Sequence, residues 1–301
     1  MIITNSKDSG IIDMDSWHEA FLEVDQARHW KEGRSAYLLA KLFTTPTIEN
    51  SNGLTALKEV LNLFGCRVKE FSKGVIEKEV RIDEFPNGRV NDLCLWGVEE
   101  SGKKICTYIE AKVDETFGST IVQTIKRGMD RSSESHLYAR AMGMMTALNL
   151  KYEEVMHMKY QLLAYLTSGI VGSSNAEVIF LPIIAFKTKF CNRFRLQLNE
   201  NDYTMFMDAV GFSRCDEDDI IMYRGKLGDI LVFSAYIIVE DDSEENGSLS
   251  EDEKFNIREK YPDGILNAFL SLDPSTMSPM EVYERFSEIK RDYNKVVLGL
   301  E

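Results

Sequence analysis

The fold and the chemistry turn on two short stretches, Asn91-Asp92-Leu93 and Tyr108-Ile109-Glu110-Ala111-Lys112. Each lies in strand-like sequence, 89–97 and 104–113, and the polar turn Glu99-Glu100-Ser101-Gly102-Lys103 joins them. A turn centred near Glu100 and Ser101 sets Asp92 opposite Glu110 on the neighbouring strand. Residues opposed in this way lie about 4.5–5.5 Å apart at Cβ. Alternation puts Lys112 on the face of Glu110 and turns Ala111 away. Three charges therefore converge on one face of strands that are otherwise apolar, through Leu93, Leu95, Trp96, Ile109 and Val113. The bland reading is a surface ion-pair cluster, but a buried strand seldom carries three charges without a reason. Two adjacent carboxylates repel each other and are costly to desolvate. A divalent cation between them removes both problems, and hard oxygen ligands suit Mg²⁺ or Mn²⁺. A lysine beside them can orient or deprotonate a water, or stabilise charge developing on a phosphate. Metal-assisted phosphodiester hydrolysis needs this set of groups.

Before the hairpin the sequence reads helical. A capping-box spacing at Ser16 and Glu19 opens one helix, with Trp17, Phe21 and Val24 on its apolar face. A second helix spans 35–43 and stops near Pro46, and a third spans 54–64 and ends at Gly65. A strand over 77–82 and the turn Pro86-Asn87-Gly88 complete a three-stranded meander. Residues 118–150 form a polar, Met-rich insertion with helical content, in which Met142, Met144 and Met145 serve packing. A buried helix follows over 155–171, then apolar strands over 178–186 and 230–239, the first interrupted by Pro182. The tail holds an acidic loop, 240–253, and a helix opened by Ser278-Pro279-Met280-Glu281 with Tyr283, Phe286, Ile289 and Tyr293 on its stripe. The expected class is α/β: a mixed central β-sheet flanked by helices, with extra N- and C-terminal helices.

Asp92 opening one central strand, and Glu110-Ala111-Lys112 in the next, resemble the PD-(D/E)XK nuclease superfamily, that is, a restriction-endonuclease-like core. Asn91 stands where that pattern usually has proline. The helix–strand–strand–strand–helix–strand order fits as well, and Gln161-Leu162-Leu163-Ala164-Tyr165 resembles the Q-x-x-x-Y signature of one exonuclease-like branch. Trp30-Lys31-Glu32-Gly33-Arg34-Ser35-Ala36 resembles an opening segment of uncharacterised bacterial members. The likeness covers roughly residues 30 to 240. It implies an N-terminal helical segment, 1–44, a nuclease-like domain, 45–240, with its insertion at about 118–150, and an acidic loop with a C-terminal helical extension, 241–301. It also implies Asp92, Glu110 and the carbonyl of Ala111 as ligands of Mg²⁺ or Mn²⁺, Lys112 assisting the attacking water, and Gln161 holding the lysine or the phosphate. Glu49, Glu77 and Glu79 are open candidates for an auxiliary carboxylate. The implied activity is hydrolysis of DNA in bacterial defence or DNA processing. The alternatives are RNA cleavage and a non-catalytic interaction module of the same fold.

Charge limits how such a protein meets DNA. The 301 residues carry a net charge of −14, which argues against coating a polyanion through bulk charge. Eight acidic residues, and no basic one, lie in 240–253, so the rest of the chain is only mildly acidic. DNA is expected in a local basic groove. Lys187, Lys189, Arg193 and Arg195, interleaved with Phe190 and Phe194, are candidates, as are Lys126, Arg127, Arg131 and Arg140. A homodimer or a protein partner is also considered. The five cysteines, Cys66, Cys94, Cys106, Cys191 and Cys215, are odd in number and form no C-x-x-C pair, so they read as reduced. No His spacing suits zinc, and neither a nucleophile elbow nor a Walker loop is present. The start reads as no signal peptide and no apolar run reaches the length of a membrane helix, so a cytoplasmic location and no membrane partner are expected.

Overall fold

The computed structural model describes residues 1–23, 30–113, 115–131, 135–188, 193–217 and 220–241. Met1–Glu244 form one compact unit and Glu245–Glu301 a second, so the described residues all belong to the first. Lys189, Phe190, Cys191, most of the acidic loop and the C-terminal helix lie outside them.

The chain opens with β1 (Ile2–Thr4) and β2 (Gly10–Ile11), followed by α1 (Met14–Glu23), α2 (Ser35–Thr44) and α3 (Asn52–Leu63). The meander is β3 (Val68–Val80), β4 (Arg89–Glu99) and β5 (Lys104–Lys112). Four helices follow, α4 (Ile121–Arg131), α5 (Leu137–Ala147), α6 (Tyr152–Val155) and α7 (Tyr160–Gly172). The remainder is β6 (Val178–Thr188), α8 (Arg193–Val210), β7 (Ser213–Arg214), β8 (Ile221–Leu227) and β9 (Ile230–Asp241). Among the described residues, one mixed sheet of nine strands runs β2-β1-β3-β4-β5-β6-β9-β8-β7. Helices α1–α3 pack on one face around Leu93, Ile109, Ile184 and Phe233. Helices α4, α5, α7 and α8 pack on the other around Tyr108, Ile179, Ile183 and Tyr236. The class is therefore α/β with a mixed sheet flanked by helices. No helix among the described residues is long and apolar enough to cross a membrane.

Several expectations are corrected. Residues 1–44 hold two strands besides two helices, and β1 lies parallel to β3 in the main sheet. Helix α1 is capped by Asp13 and not by Ser16: Asp13 Oδ1 accepts from the Ser16 amide and Ser16 Oγ from the Asp13 amide, both at 2.9 Å. Strand β3 begins at Val68, nine residues before the expected start, and α7 begins at Tyr160 after the separate turn α6. Arg195 sits on helix α8, where a strand edge was expected. The 118–150 region contributes Ile121, Ile125, Ala141, Met144 and Met145 to the second core, with Met142 packed against it, so these three methionines do pack. Cys66, Cys94, Cys106 and Cys215 are free thiols. Gly65, at φ 79°, closes α3 in the left-handed conformation that ends many helices.

Pro182 stands in the middle of β6, between β5 and β9. Proline has no N–H for a ladder, and the β5–β6 pairing is interrupted between Thr107↔Phe180 and Glu110↔Ile183. The Tyr165 hydroxyl fills this gap: it donates to the Tyr108 carbonyl at 2.7 Å and lies 2.9 Å from that of Pro182. Gly169 lets α7 come this close, since a Cβ there would sit 2.4 Å from Leu181 Cδ2.

Candidate active site

The β4–β5 register includes Leu93↔Ile109 and Val98↔Lys104. Continued by one step, it sets Asp92 opposite Glu110, as the turn position predicts. The flanking β3–β4 pairs Ile76↔Leu93 and Lys78↔Asn91 set Glu77 opposite Asp92. Glu77, Asp92 and Glu110 therefore form one row of carboxylates across three adjacent strands. Of the three open candidates for an auxiliary acid, Glu77 is the one in the row. Glu49 is 74% exposed and pairs with the N-terminus, and exposed Glu79 accepts from the Gly88 amide.

This row is also where strand alternation breaks. Ile76 and Leu93 face the first core, yet Val80, which strict alternation would put on the side of Ile76, belongs to the second. Glu77 sits at the break with φ 47°, a left-handed conformation that costs a non-glycine residue about 1–3 kcal/mol. Arg89 pairs with Val80 and so comes to the side of Glu110, which alternation from Leu93 would deny it.

Glu110 and Lys112 are buried on the α7 face. Glu110 Oε1 accepts from Gln161 Nε2 at 2.6 Å and lies 3.0 Å from Lys112 Nζ, while Oε2 pairs with Arg89 Nη2. Gln161 belongs to the first turn of α7, whose positive dipole end favours the carboxylate. Lys112 also reaches Glu115 at 3.8 Å and lies 5.6 Å from the centre of the Phe117 ring. Asp92 Oδ2 accepts from the Ala111 amide at 2.7 Å, which ties its carboxyl to the Glu-x-Lys backbone. The Ala111 side chain points into the opposite core. Asn91, just before Asp92, is buried and accepts from Ser168 Oγ of α7 at 3.0 Å.

The electrostatics grade along the row. Burial would raise Glu110, but Arg89 and then Lys112 outweigh it and hold the carboxyl below its ordinary value. Burial would lower Lys112, but Glu110, Glu115 and Asp92 outweigh it and keep the ammonium charged. Burial, then the charge of Glu110, pushes Asp92 up to about 7. Burial, then Asp92 and Glu110, pushes Glu77 up to about 9. Both cations lie against Glu110 and only partly offset burial and like charge at the other two acids, which therefore hold their protons more tightly than usual.

A divalent cation fits this donor set chemically, as carboxylates and a backbone carbonyl are hard oxygen ligands. Among the described residues, however, no three His, Cys, Asp or Glu side chains form a ready-made metal site. Glu110 already meets Arg89, Lys112 and Gln161, so the site left for an ion is the second lone pair of Oε2, beside the Arg89 guanidinium.

The expected basic groove is only partly available. Arg140 is committed to Asp83 and to the carbonyls of Pro86 and Asn87, and Lys187 to Glu240. Lys126, Arg127 and Arg131 are exposed on α4. That helix starts beside the site, because the Tyr160 amide donates to Ser119 and Arg127 also reaches Ser119 Oγ.

Arg89 and Glu115 are the participants that the sequence motif does not flag. Glu115 has a sequence signal, standing three residues after Lys112. Arg89 has none, for alternation alone points it the wrong way. Comparison with curated proteins and with solved structures finds no match. A family model does match, over residues 11–239, a span that holds every residue of the site, and the chain belongs to that family, described as a domain of unknown function (DUF6946).

Proposed function

We propose that this protein is a Mg²⁺- or Mn²⁺-dependent nuclease that hydrolyses DNA phosphodiester bonds, with a core of PD-(D/E)XK type. The observation that carries the proposal is the row Glu77–Asp92–Glu110, with Lys112 and Gln161 fixed on Glu110. The order α3, β3-β4-β5, α7, β6, with β6 parallel to β5, supports the same reading. Asp92, Glu110 and the Ala111 carbonyl would hold the ion, with Glu77 as auxiliary acid. When bound, such an ion supplies Lewis-acid charge against the negative charge that grows on the phosphoryl oxygens.

The chain's own residues divide the remaining work. The Ala111 amide and Gln161 fix the two carboxylates. Lys112 stays protonated, so it donates a hydrogen bond to the attacking water or to a phosphoryl oxygen and does not act as the base. Lys126, Arg127 and Arg131 offer phosphate contacts that position a strand without reading its sequence.

The test is cleavage of plasmid and linear DNA with Mg²⁺ or Mn²⁺. Activity that Asp92→Ala abolishes and Lys112→Ala slows strongly is expected. Wild type and variants that behave alike would end the proposal. A non-catalytic module of the same fold is favoured by one observation: Glu110 is already satisfied by three donors. Calorimetric titration with Mn²⁺ separates the two, because binding that depends on Asp92 belongs only to the nuclease.

A further inference from the structure

Arg89 is the half-used member of the site. Its Nη2 pairs with Glu110 Oε2, while its Nε is buried with no hydrogen-bond partner. Nε and Nη2 form one edge of the guanidinium, the edge that grips a phosphate or carboxylate with two parallel bonds. An orphaned buried donor costs about 1–3 kcal/mol. The strand break at Glu77, with its own backbone cost, is what brings Arg89 to this side. A purely structural ion pair gives no reason for either cost, since one buried pair adds little to stability.

Glu110 itself narrows the options. Oε1 already receives Lys112 and Gln161, so Oε2 is the oxygen left for a cation, and Arg89 holds it. Two positive charges cannot share that oxygen without strong repulsion. We infer that Arg89 stands in for the divalent cation on Glu110 Oε2, and that cation binding releases its guanidinium to take a phosphate of the substrate. Glu110 thus never stands without a counter-charge, and the arginine is freed when the site becomes competent. The inference rests on the metal-dependent reading above, but its decisive measurement needs no nucleic acid.

Mn²⁺ alone is titrated calorimetrically into wild type, Arg89→Met, Arg89→Gln and Asp92→Ala. With the competitor gone, Arg89→Met is expected to bind Mn²⁺ about tenfold tighter or more, the factor that corresponds to one charged hydrogen bond. Arg89→Gln, neutral and polar, is expected to shift the same way, and it decides the matter should Arg89→Met not fold. At saturating Mn²⁺, either variant is expected to raise KM for DNA with kcat little changed, the mark of a lost binding contact. Equal or weaker Mn²⁺ affinity in the Arg89 variants, with wild type still binding through Asp92, overturns the competition and leaves the metal site standing. An unchanged KM overturns the transfer to phosphate. No Mn²⁺ binding by wild type overturns both this inference and the metal-dependent reading.

Discussion

Two arginine–carboxylate pairs lie at either end of one loop, and they are built differently. Arg140 on α5 gives Nε and Nη2 to Asp83 at 2.7 and 3.0 Å, and further bonds to the carbonyls of Asn87 and Pro86. Phe85 lies against that guanidinium and stacks on His136. All three nitrogens are employed in tying the loop to α5. Arg89, where the loop enters β4, leaves Nε orphaned and shares its carboxylate with Lys112 and Gln161. The first pair is a closed clamp. The second is open, and it stands beside two acids whose protons are hard to remove. A fully satisfied pair serves the fold, whereas a buried pair left short of partners beside perturbed acids is the arrangement that the proposed exchange of ligands at Arg89 requires.

Removing each arginine in turn is the hardest test of this contrast. Without added cation, Arg89→Met should cost about 3–5 kcal/mol, because it strands a buried Glu110 with one cation fewer. Arg140→Met, at a partly exposed pair, should cost about 1–2 kcal/mol. Urea denaturation in chelator reads both. Equal losses would show that the two pairs are the same kind of object. Saturating Mn²⁺ should recover much of the Arg89→Met loss and none of the Arg140→Met loss.

Catalysis should separate them next. Lys112→Ala should slow DNA cleavage about 10²–10³-fold, the usual cost of one donor aimed at developing charge. Arg140→Met should leave the rate near wild type once the protein is folded. Slowing by Arg140→Met as deep as by Lys112→Ala would move the clamp into the site.

Titration distinguishes the site from its surroundings more gently. Burial and like charge raise Asp92 to about 7 and Glu77 to about 9, against about 4 in an unfolded chain. The folded protein then keeps protons that the unfolded chain has released. Stability from these two acids is highest at low pH and falls as pH rises through about 7 and then about 9. Glu110, held low by Arg89 and Lys112, acts in the opposite sense: its contribution is present above the unfolded value and is lost only in stronger acid. Asp92→Asn with Glu77→Gln should flatten the decline between pH 5 and 9 in urea titrations, a window set by the two raised values. An unchanged slope would mean that the row does not carry its charge as argued.

How much of this was legible follows from where local rules hold. The Glu99–Lys103 turn fixes the hairpin, so the Asp92–Glu110 opposition and the shared face of Glu110 and Lys112 follow from the sequence. Strand β3 is blurred because Lys69, Glu70, Ser72 and Lys73 crowd its start, where two register shifts hide the period of two. Strands β1 and β2 are too short to show a period, and β8 carries Arg224, Gly225 and Lys226 in place of an apolar run. Arg89 is hidden for a sharper reason. Its contact depends on a left-handed glutamate twelve residues earlier on the neighbouring strand, and no pattern within β4 reveals that.

The smallest expected effect divides two residues of a single motif. Gln161 and Tyr165 stand one turn apart on α7 and read together as one signature. Gln161 touches Glu110, whereas Tyr165 donates to the backbone where Pro182 breaks the ladder. Tyr165→Phe should therefore leave the Tyr108 carbonyl short of a donor and cost about 1–2 kcal/mol. For a unit of this size that lowers Tm by about 2–8 °C, with kcat and Mn²⁺ affinity unchanged. Gln161→Ala should do the reverse, slowing cleavage with little change in Tm. If Tyr165→Phe slowed cleavage at a wild-type Tm, the hydroxyl would belong to the chemistry, and the division between scaffold and site would have to be redrawn along the whole first face of α7.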